Sequence, residues 1–129
     1  MKLRAEQMDV FSAHAESQFE KRVVSHLQTH FPDKCRKLGR GGVLESVKRG
    51  IARARAYDIT TEYDVARFID LTFRLSQDFD TSKETPWAGE ILNDPDVPPW
   101  SRMDELWNRA ESELDGTAAE APDDESADE

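Results

Sequence analysis

"DITTEYDVARFIDLTFRLSQDFD", Asp58 to Asp80, is the stretch whose reading decides the fold. Val65, Phe68, Ile69, Thr72, Phe73 and Leu75 recur within it at steps of three and four, the spacing of one helical face. The face is broad enough for a central helix with several neighbours. Thr60 or Thr61 stands where an N-cap belongs, and Glu62 and Asp64 fall in the first turn, where the helix dipole favours negative charge.

The same periodicity extends outward in both directions. From Arg4 to His30, a stripe of Met8, Phe11, Ala15, Phe19, Val23, Leu27 and His30 predicts a long first helix. Pro32 stops it or begins the next, because proline suits a first turn and disrupts an interior. "PDKCRKLG" then reads as a short helical turn ended by Gly39, and "GRGG", Gly39 to Gly42, as a flexible break. Val43, Leu44, Val47, Ile51 and Ala54 resume helical spacing up to Tyr57, with Lys48, Arg49 and Arg53 on the other side.

Downstream, "TPWAGEILND" predicts a short helix with Thr85 as cap and Pro86 in its first position. "DPDVPP" is a stiff linker. A last helix comes after it, with Trp100, Met103, Leu106, Trp107, Ala110 and Leu114 on one stripe and Gly116 at its end. "TAAEAPDDESADE" carries six acids, no base and almost nothing to bury. Sustained two-residue alternation is found nowhere. The expected fold is all-α: one compact domain of five or six helices over residues 1–115, with a disordered acidic tail over 116–129.

The 129 residues suit a single domain, and a charged fraction of 34% against an apolar fraction of 37% predicts a thin core. The net charge of -10 is divided unevenly. Residues 1–58 carry 12 Lys/Arg and 7 Asp/Glu, whereas residues 59–129 carry 5 and 20. The excess of acid disfavours nucleic acid as a partner, although Lys34, Arg36, Lys37, Arg40, Lys48, Arg49, Arg53 and Arg55 form a basic strip in the first half. Aromatics for base stacking are missing between Phe31 and Tyr57. Cys35 has no second cysteine to pair with, no apolar run reaches the ~20 residues of a membrane span, and the N-terminus has no signal-type apolar core. A cytoplasmic location is expected.

Each candidate for chemistry has a plainer competitor. "DFDTSKETPWA", Asp78 to Ala88, begins like a calcium loop, but Lys83 and Gly89 stand where that loop needs glycine and a bidentate glutamate. As an Asp-x-Asp-x-Thr phosphoryl-transfer nucleophile it would need a buried parallel strand, which the pattern does not provide. The plainer reading makes it a connector pinned by Phe79 and Trp87, with its acids in water. His26 and His30 lie one helical turn apart with Cys35 nearby, a set one ligand short of a closed zinc site. Lys34 and Arg36 flank Cys35 and would lower its thiol pKa, but no partner for nucleophilic chemistry is apparent. No phosphate loop or nucleophile elbow occurs. No catalytic residue, cofactor or metal ligand is assigned.

Several stretches resemble a group of small bacterial proteins often encoded beside type VI secretion spike and effector genes. They are Gly-Ile-x-x-Ala at Gly50 to Ala54, Tyr-x-Ile-Thr at Tyr57 to Thr60, the Asp64 to Leu71 helix, the Phe79 to Ala88 loop and "HFPDKC" upstream. The resemblance covers roughly residues 4 to 110. It implies a setting, bacterial effector delivery, and carries over no catalytic residue. The expectation is a non-enzymatic accessory protein that binds a secreted effector or spike component as chaperone or adaptor. Its docking surface would be drawn from Arg49, Arg53, Phe79, Trp87, Trp100, Met103 and Trp107. The alternatives are an immunity protein that neutralises a toxin, its acidic surface imitating a nucleic-acid substrate, and a small metal-dependent enzyme using His26 and His30.

Overall fold

A computed structural model describes residues 13–120 as five helices: α1 (Ala13–His30), α2 (Pro32–Ala56), α3 (Glu62–Arg74), α4 (Pro86–Leu92) and α5 (Pro99–Glu120). No β-strand occurs among the described residues, so the fold is all-α, as the periodicity predicts. Met8, Phe11 and residues 121–129 lie outside the described part.

The central position of α3 follows from its sequence. Val65, Phe68, Ile69, Leu71, Thr72 and Phe73 are all buried, a face wide enough to meet α1, α2 and α5 at once. Thr61 is the N-cap; its hydroxyl accepts the Asp64 N–H at 3.3 Å. Phe19, Val23 and Leu27 bring the buried stripe of α1 to the core, and Val47, Ile51 and Ala54 bring that of α2. Leu44, expected on the same stripe, is instead exposed.

Two glycines shape α2. Gly39 has φ 76° and ψ 166°, a region that is essentially glycine's alone, and the helix kinks there. The expected break is therefore confined to one residue: Gly41 and Gly42 are helical, and Gly39 divides α2 into a short stretch before it and a longer one after it. Counted across the kink, five helices become six. At Gly50 the requirement is space, since a Cβ there would lie 2.6 Å from Cγ1 of Ile69. The close approach of α2 to α3 depends on that missing carbon.

At the other end of the chain, α5 runs through Gly116 to Glu120. Gly116 does not end it, and residues 116–120, expected in the tail, are helical. A helical glycine costs only about 1 kcal/mol against alanine, and Ala118 and Ala119 come soon after it as strong helix formers.

Candidate functional site

The connector between α3 and α4 is held by a polar clasp. Asp80 is 5% exposed, so the expectation that the connector's acids stay in water holds for Asp78 and fails for Asp80. Arg53 Nη2 donates to Asp80 Oδ1, and the Tyr57 hydroxyl donates to Oδ2 at 2.8 Å. Arg53 and Tyr57 come from the end of α2, one helical turn apart. Burial, together with the bond to Asp80 and the negative charge of that carboxylate, pushes the Tyr57 phenol up to about 12, despite an opposing effect of Arg53. Phe79 is fully buried against Phe68, with ring centroids 5.1 Å apart. The Thr85 hydroxyl donates to Phe79 O at 2.7 Å instead of capping α4. Each of these contacts fixes the connector, and its aromatic anchors face inward as the sequence predicts.

A second polar group joins α3 to α5. Arg67 Nη2 donates to Asp64 at 2.8 Å and to Asp104 at 2.7 Å, and Arg74 Nη1 donates to Glu111 at 3.0 Å. Trp107 is half-buried between the two arginines, 5.9 Å from Arg67 and 4.9 Å from Arg74. Burial depresses the Arg67 guanidinium, but the hydrogen bonds to Asp64 and Asp104 outweigh it and the net shift is upward. Both interhelical ion pairs join residues 37 positions apart, so α3 and α5 run in the same direction in a fixed register.

That register has a consequence at the open end of the seam. Tyr63 and Trp100 stand level with one another, one helical turn before Arg67 and Asp104. They are 67% and 69% exposed, the most exposed large apolar side chains described. The Arg67 guanidinium covers the Tyr63 ring at 4.5 Å. Beside Tyr63 a cleft of about 380 Å³ opens between α1 and α3, floored by Phe19, Val23 and Ala66 and rimmed by Arg22, Glu62 and His26. Aromatic surface next to a concave apolar floor is the combination on which partner residues anchor.

The structure distributes the seven expected docking residues unevenly. Trp100 and Arg49 are exposed and Trp107 is half-buried. Phe79, Met103 and Trp87 are core residues, and Trp87 is covered by Arg109 at 5.3 Å. Arg53 is taken up by Asp80. Tyr63 was missed because helical periodicity sorts residues by face and sets the polar face aside. The available signal was an aromatic between two acids on that polar face.

Both histidines have partners within the fold. The rings of His26 and His30 lie 4.3 Å apart, His26 Nε2 meets Asp70 Oδ1 at 3.0 Å, and His30 Nδ1 donates to the carbonyl of His26 at 3.0 Å. No group of three or more His, Cys, Asp or Glu could hold a metal ion among the described residues. Cys35 is buried, and burial pushes its thiol up, opposite to the effect expected from Lys34 and Arg36. Of the basic strip, Lys34 Nζ donates to Phe73 O, Arg36 pairs with Asp33, and Lys48 pairs with Glu20 at 3.3 Å. No helix among the described residues is long and apolar enough to cross a membrane. No protein family, curated protein or solved structure matches the chain.

Proposed function

We propose that this chain is a non-enzymatic accessory protein of type VI secretion that binds a secreted effector or spike component as chaperone or adaptor. The setting rests on the resemblance carried by residues 4 to 110. The docking role rests on one observation above all: Tyr63 and Trp100, level on parallel helices, are both presented to solvent, and Tyr63 borders an apolar cleft. Tyrosine and tryptophan supply large contact area with few rotors to immobilise, and they dominate binding energy at interface centres. The ion pairs of Arg67 and Arg74 hold the helices that carry them, so the surface is organised before a partner arrives.

Co-purification with each protein encoded by flanking genes tests this reading. The expected result is a stable complex with an effector or spike protein that weakens at least ~10-fold when Tyr63 and Trp100 are both replaced by alanine. A protein that emerges alone, indifferent to all of them, defeats it. The net charge of -10 favours the immunity role as a second reading, in which acidic surface stands in for a nucleic-acid substrate. Rescue of cells from the cognate toxin identifies an immunity protein; loss of effector delivery in its absence identifies a chaperone or adaptor.

A further inference from the structure

We infer that the groove between α1 and α2 receives an acidic amphipathic helix from a protein partner. The groove holds about 500 Å³. On one side α1 lines it from Ser17 to Gln28, about three turns or ~16 Å of helix, and on the other α2 contributes Arg40 and Leu44. Only Phe31 separates the two helices, so they run antiparallel, and Lys48 meets Glu20 at 3.3 Å. That register sets Leu44 level with Val24 and Arg40 level with Gln28. The middle of the groove is therefore apolar. Leu44 belongs to the helical stripe of Val43, Val47, Ile51 and Ala54, yet it is 37% exposed while those four are buried. Val24 is half-buried on the facing wall.

Charge decides what covers that apolar middle. Lys21 on α1 and Arg40 on α2 stand toward opposite ends of the groove, and neither side chain has a hydrogen-bond or ion-pair partner among the described residues. The one acid of the lining, Glu20, is offset by Lys48. The groove is thus locally positive on a chain whose total charge is -10. Two copies of so acidic a chain repel one another, which disfavours self-association through it. A trough long in one direction and walled by two helices suits a third helix, which presents residues at i, i+3 or i+4 and i+7 on one face. The occupant needs an apolar residue over Val24 and Leu44, with an acid about one turn to either side to face Lys21 and Arg40. Apolar burial supplies the affinity, while the two cations set the register and reject basic helices. The groove shares no residue with the cleft beside Tyr63, so this contact stands whether or not Tyr63 and Trp100 take an effector.

The probe is a synthetic peptide of about 15 residues, blocked at both ends and long enough to form a helix. It has leucines along one face, a glutamate one turn to either side of the central leucine, and alanine elsewhere. A twin carries lysine in place of each glutamate. Titrated into the full-length chain, the acidic peptide should shift the methyl NMR resonances of Val24 and Leu44. Its affinity, read by fluorescence anisotropy, should fall as salt rises. Combining Lys21→Glu with Arg40→Glu, both exposed positions, should weaken it about tenfold. The lysine twin should bind the natural chain more weakly than the acidic peptide and regain affinity for that charge-reversed variant. Equal binding of the two peptides, unmoved Val24 and Leu44 methyls, or indifference to the charge reversal overturns the inference. Resonances of Val24 and Leu44 that move when the protein alone is diluted place a second copy in the groove and overturn it as well.

Discussion

Arg53 and Arg67 each bind carboxylates at a helix–helix or helix–loop contact, yet they divide burial in opposite ways. At the connector the acid is the buried partner: the Asp80 side chain is 4% exposed and that of Arg53 is 28%. At the seam the base is the buried partner: Arg67 is 14% exposed while Asp104 is 59% exposed. Arg67 also has a second carboxylate in Asp64, whereas Asp80 has one cation among the described residues. In both clusters the arginine Nε is buried without a protein acceptor, so the terminal nitrogens carry the contact. Removing a partner is costly when it strands a buried charge and cheap when the survivor can hydrate or turn to another partner. The two regions thus teach where the fold is brittle and where it has slack.

The largest expected effect is at the brittle site. Arg53→Ala leaves the buried carboxylate of Asp80 with only the Tyr57 hydroxyl and is expected to destabilise by about 3–5 kcal/mol. Arg53→Lys keeps the charge without the fork and should recover part of that loss. Urea unfolding of the three proteins measures it. If Arg53→Ala loses under 1 kcal/mol, Asp80 is better hydrated than its burial implies and the comparison collapses. Gly50→Ala comes next, at about 1–3 kcal/mol, because the Cβ meets Ile69 while the neighbouring helix is fixed by both clusters. Greater intrinsic helix propensity offsets at most ~1 kcal/mol of it. Combining Gly50→Ala with Ile69→Val, which removes Cδ1 at 3.5 Å but keeps a carbon in the place of Cγ1 at 2.6 Å, asks whether a shorter side chain can turn away and relieve the clash.

Alkaline pH sharpens the connector half of the comparison. The phenol of an unfolded chain loses its proton near 10, whereas folded Tyr57 holds its proton to about 12. Between those values only the folded state keeps the proton, so the stability from this group is complete below pH 10 and declines as pH rises towards 12. Thermal melts across that range should show the decline, and Tyr57→Phe should remove this group's share of the slope.

The different legibility of the two regions has a physical cause. The helices were readable because burial imposes a period on the sequence, which Val65, Phe68, Ile69, Thr72 and Phe73 follow, although Leu71 is buried outside that stripe. Gly39 was readable as a break because its conformation is available to few other residues, but Gly41 and Gly42 were not distinguishable from it by composition. Asp80 could not be read as buried, because its burial depends on Arg53 and Tyr57 arriving from a helix 27 and 23 residues earlier in the chain. A local pattern holds no record of such a meeting. Trp100 had two readings, as a member of the stripe of Met103, Leu106 and Ala110 and as a docking residue, and the structure leaves it 69% exposed. The candidate site was therefore only partly visible, through Trp100 and Trp107, while the exposed Tyr63 was discounted.

The smallest expected effect tests the slack site. Asp104→Asn removes one carboxylate from Arg67 but leaves Asp64 at 2.8 Å and the Trp107 face at 5.9 Å. The lost pair is exposed on its acidic side, so the expected destabilisation is under ~1 kcal/mol and should shrink further at high salt. Asp64→Asn combined with Asp104→Asn should exceed the sum of the single changes, because only the double variant strands the half-buried guanidinium. A double-mutant cycle in urea measures the excess. Additivity would mean that Trp107 and solvent satisfy Arg67 without either acid, and the parallel register that levels Tyr63 with Trp100 would then have to rest on Arg74, Glu111 and apolar packing alone.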